Sequence, residues 1–82
     1  MIVEDHRKVS CGGDPFNYLK SVLKGLSFQL DPGQDAQVLL DREKFSYSRE
    51  IFEGMGHVSR LKLVEIRETN EEIDLTFRKE NS

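Results

Sequence analysis

The only cysteine of the chain, Cys11, lies just ahead of a predicted helix start. Two glycines, Gly12 and Gly13, follow it, and Asp14 and Pro15 come next. Aspartate is a preferred N-cap residue and proline suits the first helical position, so a helix is predicted to begin at Pro15. The unpaired N–H groups and positive dipole of a helix N-terminus favour the thiolate, which is the nucleophilic form of cysteine. These residues therefore predict a reactive thiol at Cys11.

The surroundings of Cys11 leave alternatives open. A lone cysteine is also typical of a small buried hydrophobic residue, and the two glycines would then serve only a structural turn. Asp14 is expected to cap the helix, but a carboxylate close to the sulfur would raise the pKa of the thiol. Arg7 and Lys8 are candidates to offset that negative charge, although salt screens exposed charges.

No other group of residues predicts a catalytic or metal site. His6 and His57 lack the paired spacing of zinc ligands, so no metal is predicted. His57 is expected at a helix C-terminus or in solvent, without a catalytic role. A cysteine–histidine hydrolase is a poor fit, because 82 residues offer little room for an oxyanion hole and a substrate cleft. Four glutamates in adjacent or near positions are expected to be solvated: Glu50, Glu53, Glu71 and Glu72.

The composition predicts one soluble globular domain over 1–82. Hydrophobic residues make up 37% of the chain and charged residues 33%, which allows a modest core. The net charge is −3 and the basic residues are interleaved with acidic ones, so nucleic acid is not an expected partner. Phe45, Tyr47 and Phe52 are expected to pack against a helix rather than to form a stacking platform for bases.

The sequence also predicts a cytoplasmic location. No apolar run approaches the ~20 residues of a membrane span, so no direct membrane contact is expected. The segment 1–8 has no apolar stretch of the kind found in signal peptides. A single cysteine excludes an intrachain disulfide framework.

Hydrophobic periodicity predicts six elements. They are a strand over 2–9, a helix over 15–30, a strand over 36–41, a helix over 47–55, and strands over 58–67 and 72–79. The order β-α-β-α-β-β predicts an α+β fold. The expected architecture is a two-layer α/β sandwich, in which a four-stranded mixed sheet carries two helices on one face.

Some predictions concern the ends of these elements. The polar middle of 2–9 predicts a frayed or edge strand, with only its second half paired. Ser46 is the candidate N-cap of the second helix, and Gly54 and Gly56 are expected to end it. The alternation of the next strand slips after Leu63, which predicts a bulge or a strand covered on both faces.

This order and several local sequences resemble the TusA/SirA-like sulfur-carrier family over nearly the whole chain. That family places a cysteine between its first strand and first helix, usually as Cys-Pro-x-Pro, and the matching segment here is 11–15. The segment 30–34 is similar to the family's turn after the first helix, and Asp41 matches a recurrent acidic position. The Gly-His-Val segment 56–58 is similar to the family's segment before the third strand.

The chain departs from the family pattern at the cysteine motif. Gly12 stands where the family has proline, and Pro15 lies one residue later than the family's second proline. The stretch from Cys11 to Gly33 is also longer than in the family. Because this motif shapes the surroundings of the thiol, the departures bear on function more than on fold.

The resemblance implies a sulfur carrier, or sulfurtransferase, in which Cys11 accepts a sulfane sulfur as a persulfide and relays it to a partner's thiol. The implied partners are sulfur-donor and sulfur-acceptor proteins, and no cofactor is implied. The pathway, whether tRNA thiolation, molybdenum-cofactor assembly or sulfur oxidation, is not distinguished. A non-catalytic protein-interaction domain of the same fold is the alternative. The residues that would shape the site are Gly12, Gly13, Asp14 and Pro15.

Overall fold

A four-stranded sheet with two helices packed on one face makes up the fold in the computed structural model, which describes residues 1–8 and 13–80. This confirms the predicted α+β architecture. The strands are β1 (Ile2–His6), β2 (Asp35–Asp41), β3 (Leu61–Glu68) and β4 (Glu72–Lys79), and the helices are α1 (Pro15–Gln29) and α2 (Arg49–Val58).

The sheet is mixed, and its strand order is β1-β2-β4-β3. Strand β1 pairs with β2 in parallel, with α1 as the crossover between them, whereas β4 pairs antiparallel with both β2 and β3. The apolar run of β2 therefore lies at the centre of the sheet, as its composition predicts. Its carboxyl end and that of β1 lie on the same edge, next to the start of α1.

The core lies between the helices and one face of the sheet. Alternate residues of β2 and β4 point into it, and α1 contributes leucines at helical spacing. Its fully or nearly fully buried members are Leu19, Leu23, Leu26, Leu30, Ala36, Val38, Leu40, Phe45, Phe52, Met55, Leu61, Leu63, Ile73, Leu75 and Phe77. The opposite face of the sheet is not covered by a helix, which makes a two-layer structure.

Helix α2 differs from its prediction at both ends. It begins at Arg49, because the hydroxyl of Ser48 accepts a hydrogen bond from the backbone N–H of Ile51, and Ser46 instead donates to a backbone carbonyl upstream. The helix also continues through both glycines to Val58, so the prediction that they end it is wrong.

Gly56 serves close packing instead of helix termination. A Cβ atom at this position would lie 2.6 Å from the Phe77 ring and 2.8 Å from the carbonyl oxygen of Leu61. The absence of a side chain therefore lets α2 approach the sheet at van der Waals distance.

Strand β1 is an edge strand, as predicted, but the expectation that only its second half is paired is wrong. The strand runs from Ile2 to His6, and Arg7 and Lys8 lie in the turn that follows it. Its register with β2 runs from Ile2 opposite Ala36 to His6 opposite Leu40. The polar side chains are tolerated because an edge strand leaves them access to water. Val9, which the prediction included in the strand, lies outside the described residues.

Strand β3 has the predicted bulge. Its register against β4 shifts between Leu63 and Glu65, which explains the slipped alternation without a second covered face. The strand begins at Leu61, later than predicted, because the residues before it belong to α2 and its closing turn.

Candidate functional site

The N-terminus of α1 has the predicted cap. The Asp14 side chain accepts hydrogen bonds from the backbone N–H of Asn17 at 3.1 Å and from its amide nitrogen at 2.6 Å. Pro15 occupies the first turn, and the backbone N–H of Tyr18 donates to the carbonyl of Asp14 at 3.2 Å. Asp14 thus satisfies one of the free N–H groups at the helix start, as its residue type predicts.

Gly13 supplies the turn into this helix. Its φ of +89° lies in the left-handed region, which favours glycine, and among the described residues beyond its chain neighbours no atom stands within 4 Å of where a Cβ would be. The backbone conformation, rather than crowding, therefore requires glycine here. Cys11 and Gly12, the other predicted site residues, lie outside the described residues, so the environment of the thiol stays a prediction.

A histidine–tyrosine pair lies beside the same helix end. His6 is the last residue of β1, and its Nδ1 shares a 2.7 Å hydrogen bond with the phenol oxygen of Tyr18. The two rings meet edge to face, with centroids 5.4 Å apart. This contact joins the end of the strand before the cysteine segment to the first turns of the helix after it.

His6 also faces a carboxylate. Its Nε2 is buried and lies 3.3 Å from the Glu4 carboxylate, without the alignment of a hydrogen bond. The His6 ring and the Glu4 carboxylate thus lie together next to the start of α1. Sequence reasoning gave His6 no role. The available signal was the two-residue period of β1, which places both side chains on the helix-covered side.

Arg7 pairs with carboxylates other than that of Asp14. Its guanidinium bonds to the Asp5 carboxylate at 2.8 Å and to the Glu72 carboxylate at 2.9 Å. Hydrogen bonds from Arg7 lower the pKa of Asp5 to about 2. The bonds from its guanidinium have the largest effect, and the bond from its backbone N–H has the next largest. Two carboxylates thus already balance the arginine, so its expected role in offsetting Asp14 is not supported.

The aromatic residues near the helix start are packing residues. Phe45 and Phe52 are fully buried, and Tyr47 meets the ring of Phe52 edge to face at 5.9 Å. On its other side Tyr47 contacts Phe16 at 5.8 Å. The expectation that these rings pack against a helix rather than present a stacking surface is confirmed for Phe45 and Phe52.

Most of the remaining charged candidates are exposed, namely His57, Glu50, Glu53 and Glu71. Glu72 differs from the expectation, because it is half-buried and pairs with Arg7. His57 lies in the last turn of α2, where a cation is electrostatically favourable. Glu53 pairs with Arg49 one turn earlier at 2.8 Å. Within residues 1–8 and 13–80, no cluster of three or more His, Cys, Asp or Glu side chains is placed to hold a metal ion.

Comparisons with known proteins add no relative: no family model, no curated protein and no solved structure matches the chain. In the part of the chain that the structure describes, neither helix is long and apolar enough to cross a membrane.

Proposed function

We propose that this protein is a sulfur carrier in which Cys11 accepts a sulfane sulfur as a persulfide and passes it to the thiol of a partner protein. The observation that carries the proposal is the helix start at Pro15, capped by Asp14 and entered through Gly13, shortly after the cysteine in sequence. The element order and mixed sheet are consistent with the resemblance to the TusA/SirA-like family, which supplies the chemistry.

The proposed reaction is a pair of thiol exchanges. The Cys11 thiolate attacks the outer sulfur of a donor persulfide, so a new S–S bond forms while the donor's S–S bond breaks and its thiolate leaves. An acceptor thiolate then attacks the outer sulfur on Cys11 and releases the Cys11 thiolate. Each step makes one S–S bond and breaks one, so no external oxidant, metal or organic cofactor is needed.

Two electrostatic effects at the start of α1 act on a nearby thiol in opposite directions. A thiolate close to the start of α1 would be stabilised by the positive end of the helix dipole, which lowers a thiol pKa from ~8.5. The Asp14 carboxylate opposes that effect, but its oxygens accept two hydrogen bonds from Asn17. A reducing compartment keeps a single thiol free, so we place the carrier in the cytoplasm.

The test is sulfur loading followed by intact mass spectrometry. The protein is incubated with a cysteine desulfurase and free cysteine, beside a known sulfur carrier as a positive control. A mass increase of one sulfur atom is expected for the wild-type protein and not for Cys11→Ser. A known carrier that loads while this chain does not would refute the proposal.

An interaction domain of the same fold is the second candidate, because the described surface has a positively charged groove along α1. The two functions predict different reactivities for the Cys11 thiol. A sulfur carrier predicts an alkylation rate that stays high below the ~8.5 pKa of free cysteine. An interaction domain predicts an ordinary thiol and partner binding that survives Cys11→Ser.

A further inference from the structure

A groove of about 750 Å³ runs between α1 and the C-terminal end of α2. Four cationic side chains line it: Lys20 and Lys24 from α1, Arg60 after α2, and Lys79 at the end of β4. The other lining residues in the described chain are uncharged, and no carboxylate is among them. The groove is therefore positive on a chain whose net charge is −3.

The groove also exposes apolar surface. Phe28, near the end of α1, is 79% exposed, and Val58, at the end of α2, is 76% exposed. Phe28 belongs to α1 and Val58 to α2, and both line the groove. A ligand that fills the groove would remove both from water, which is favourable in proportion to the apolar area covered.

The groove lysines are not neutralised by the chain's own acids. Among the described residues, Lys20, Lys24 and Lys79 form no ion pair with a carboxylate. Lys79 donates instead to the backbone carbonyl of Ser27 at 2.7 Å.

Arg60 occupies a backbone position that glycine would fill more easily. Its φ of 60° is in the left-handed region, at the place after a helix where glycine is preferred. Its N–H donates to the carbonyl of His57 and its own carbonyl accepts from the N–H of Glu80, each at 3.0 Å. The fold therefore holds an arginine at the groove wall against the local conformational preference.

We infer that the groove docks an acidic amphipathic segment of a partner protein. Carboxylates of that segment would pair with Lys20, Lys24 and Arg60, while apolar side chains on its other edge would cover Phe28 and Val58. Charge complementarity of this kind speeds and orients association. The inference does not depend on Cys11, so it holds whether or not the chain carries sulfur.

Two other occupants fit the surface less well. Nucleic acid would extend past the groove onto a surface whose 15 acidic residues outnumber the 12 basic ones. An anionic bilayer is a broad surface, and it would not enter a concave site that lies between two helices.

The probe is a synthetic helical peptide with glutamates along one face and leucines along the other. It is titrated into isotope-labelled protein, with NMR amide shifts mapping the site and fluorescence anisotropy giving the Kd. Shifts are expected to cluster on the facing sides of α1 and α2. Lys24→Gln is expected to weaken binding about threefold, as the loss of one exposed ion pair would.

Lys62→Gln is the matched control, because it makes the same charge change on β3, outside the groove. It is expected to leave the Kd unchanged. Arg60→Gly is expected to weaken binding while leaving the melting temperature unchanged or raising it, which separates lost recognition from lost folding.

Three outcomes would overturn the inference. They are no shift of the groove amides at millimolar peptide, equal losses for Lys24→Gln and Lys62→Gln, or tighter groove binding by single-stranded RNA or anionic vesicles than by the peptide. Cys11→Ser is expected to bind the peptide like wild type, so failure of docking and failure of sulfur loading are separate results.

Discussion

Asp14 caps α1 and follows Cys11 by three residues in sequence, so its effect on helix stability and its expected effect on the thiol can be separated by substitution. Asp14→Ala removes the cap and is expected to cost about 1 kcal/mol of unfolding free energy, measured by urea denaturation. Asp14→Ser keeps an oxygen that can accept from Asn17, so most of that stability should remain.

Both variants remove the carboxylate, which is expected to lower the thiol pKa in the alkylation assay. A thiol pKa that is the same in all three proteins would contradict a carboxylate close to the sulfur.

Asp74 lies on the face of the sheet opposite the helices, where partial burial disfavours its charged carboxylate. One of its carboxylate oxygens is buried without a hydrogen-bond partner. Burial raises the pKa of Asp74, and the nearby charge of Glu72 raises it further. A carboxyl whose pKa is raised by folding destabilises the native state as pH rises through that pKa, because the folded chain disfavours the charged form.

Asp74→Asn is therefore expected to unfold at a higher urea concentration than wild type at pH 7. The difference should shrink as pH falls below the ordinary carboxyl value of 3.8, where both side chains are neutral. Asp31→Asn is the control, since its carboxyl is exposed. An Asp74→Asn protein that is less stable than wild type at pH 7 would show that the charged carboxylate has a favourable partner.

At the scale of elements, α2 is positioned by a contact that only glycine permits. Gly56→Ala would put a methyl group against the Phe77 ring and the Leu61 carbonyl. Overpacking of this kind is expected to cost about 1–3 kcal/mol of unfolding free energy. Gly54 is on the same helix, is exposed, and has no atom within 4 Å of a Cβ position.

Gly54→Ala is thus the matched control, and it is expected to stabilise the protein by about 0.5–1 kcal/mol through helix propensity. Circular dichroism with urea gives both values. Equal effects of the two substitutions would contradict the close approach of α2 to the sheet.

For the whole molecule, the proposed sulfur carrier requires a Cys11 thiol that partner proteins can reach. The buried apolar residues of the described chain come from the helices, the strands and the segments that follow α1 and β2. If the proposal holds, Cys11→Ser is expected to change the unfolding free energy by no more than ~0.5 kcal/mol, as is usual for a surface substitution. A loss of more than ~1 kcal/mol would favour a buried cysteine, and with it the structural alternative for this residue.

Some features of the whole chain could be predicted from neighbouring residues alone, and others could not. The Asp14 cap, the start of α1 and the alternation of β4 follow from neighbouring residues, because capping and strand periodicity are local effects. The bulge in β3 is equally local, since a slip in alternation is visible in the sequence itself. The order of elements then limits the sheet to few arrangements.

The remaining features depend on contacts between residues that are far apart in sequence. A glycine near a helix end has the same local signature whether it stops the helix or packs against a sheet, and only Phe77 on a distant strand shows which role Gly56 has. Glu72, which pairs with Arg7, and Tyr18, which bonds to His6, lie on elements far away in sequence, so the local sequence did not indicate these contacts. The groove exists only where two helices meet, so its cations are scattered in sequence and gathered by folding.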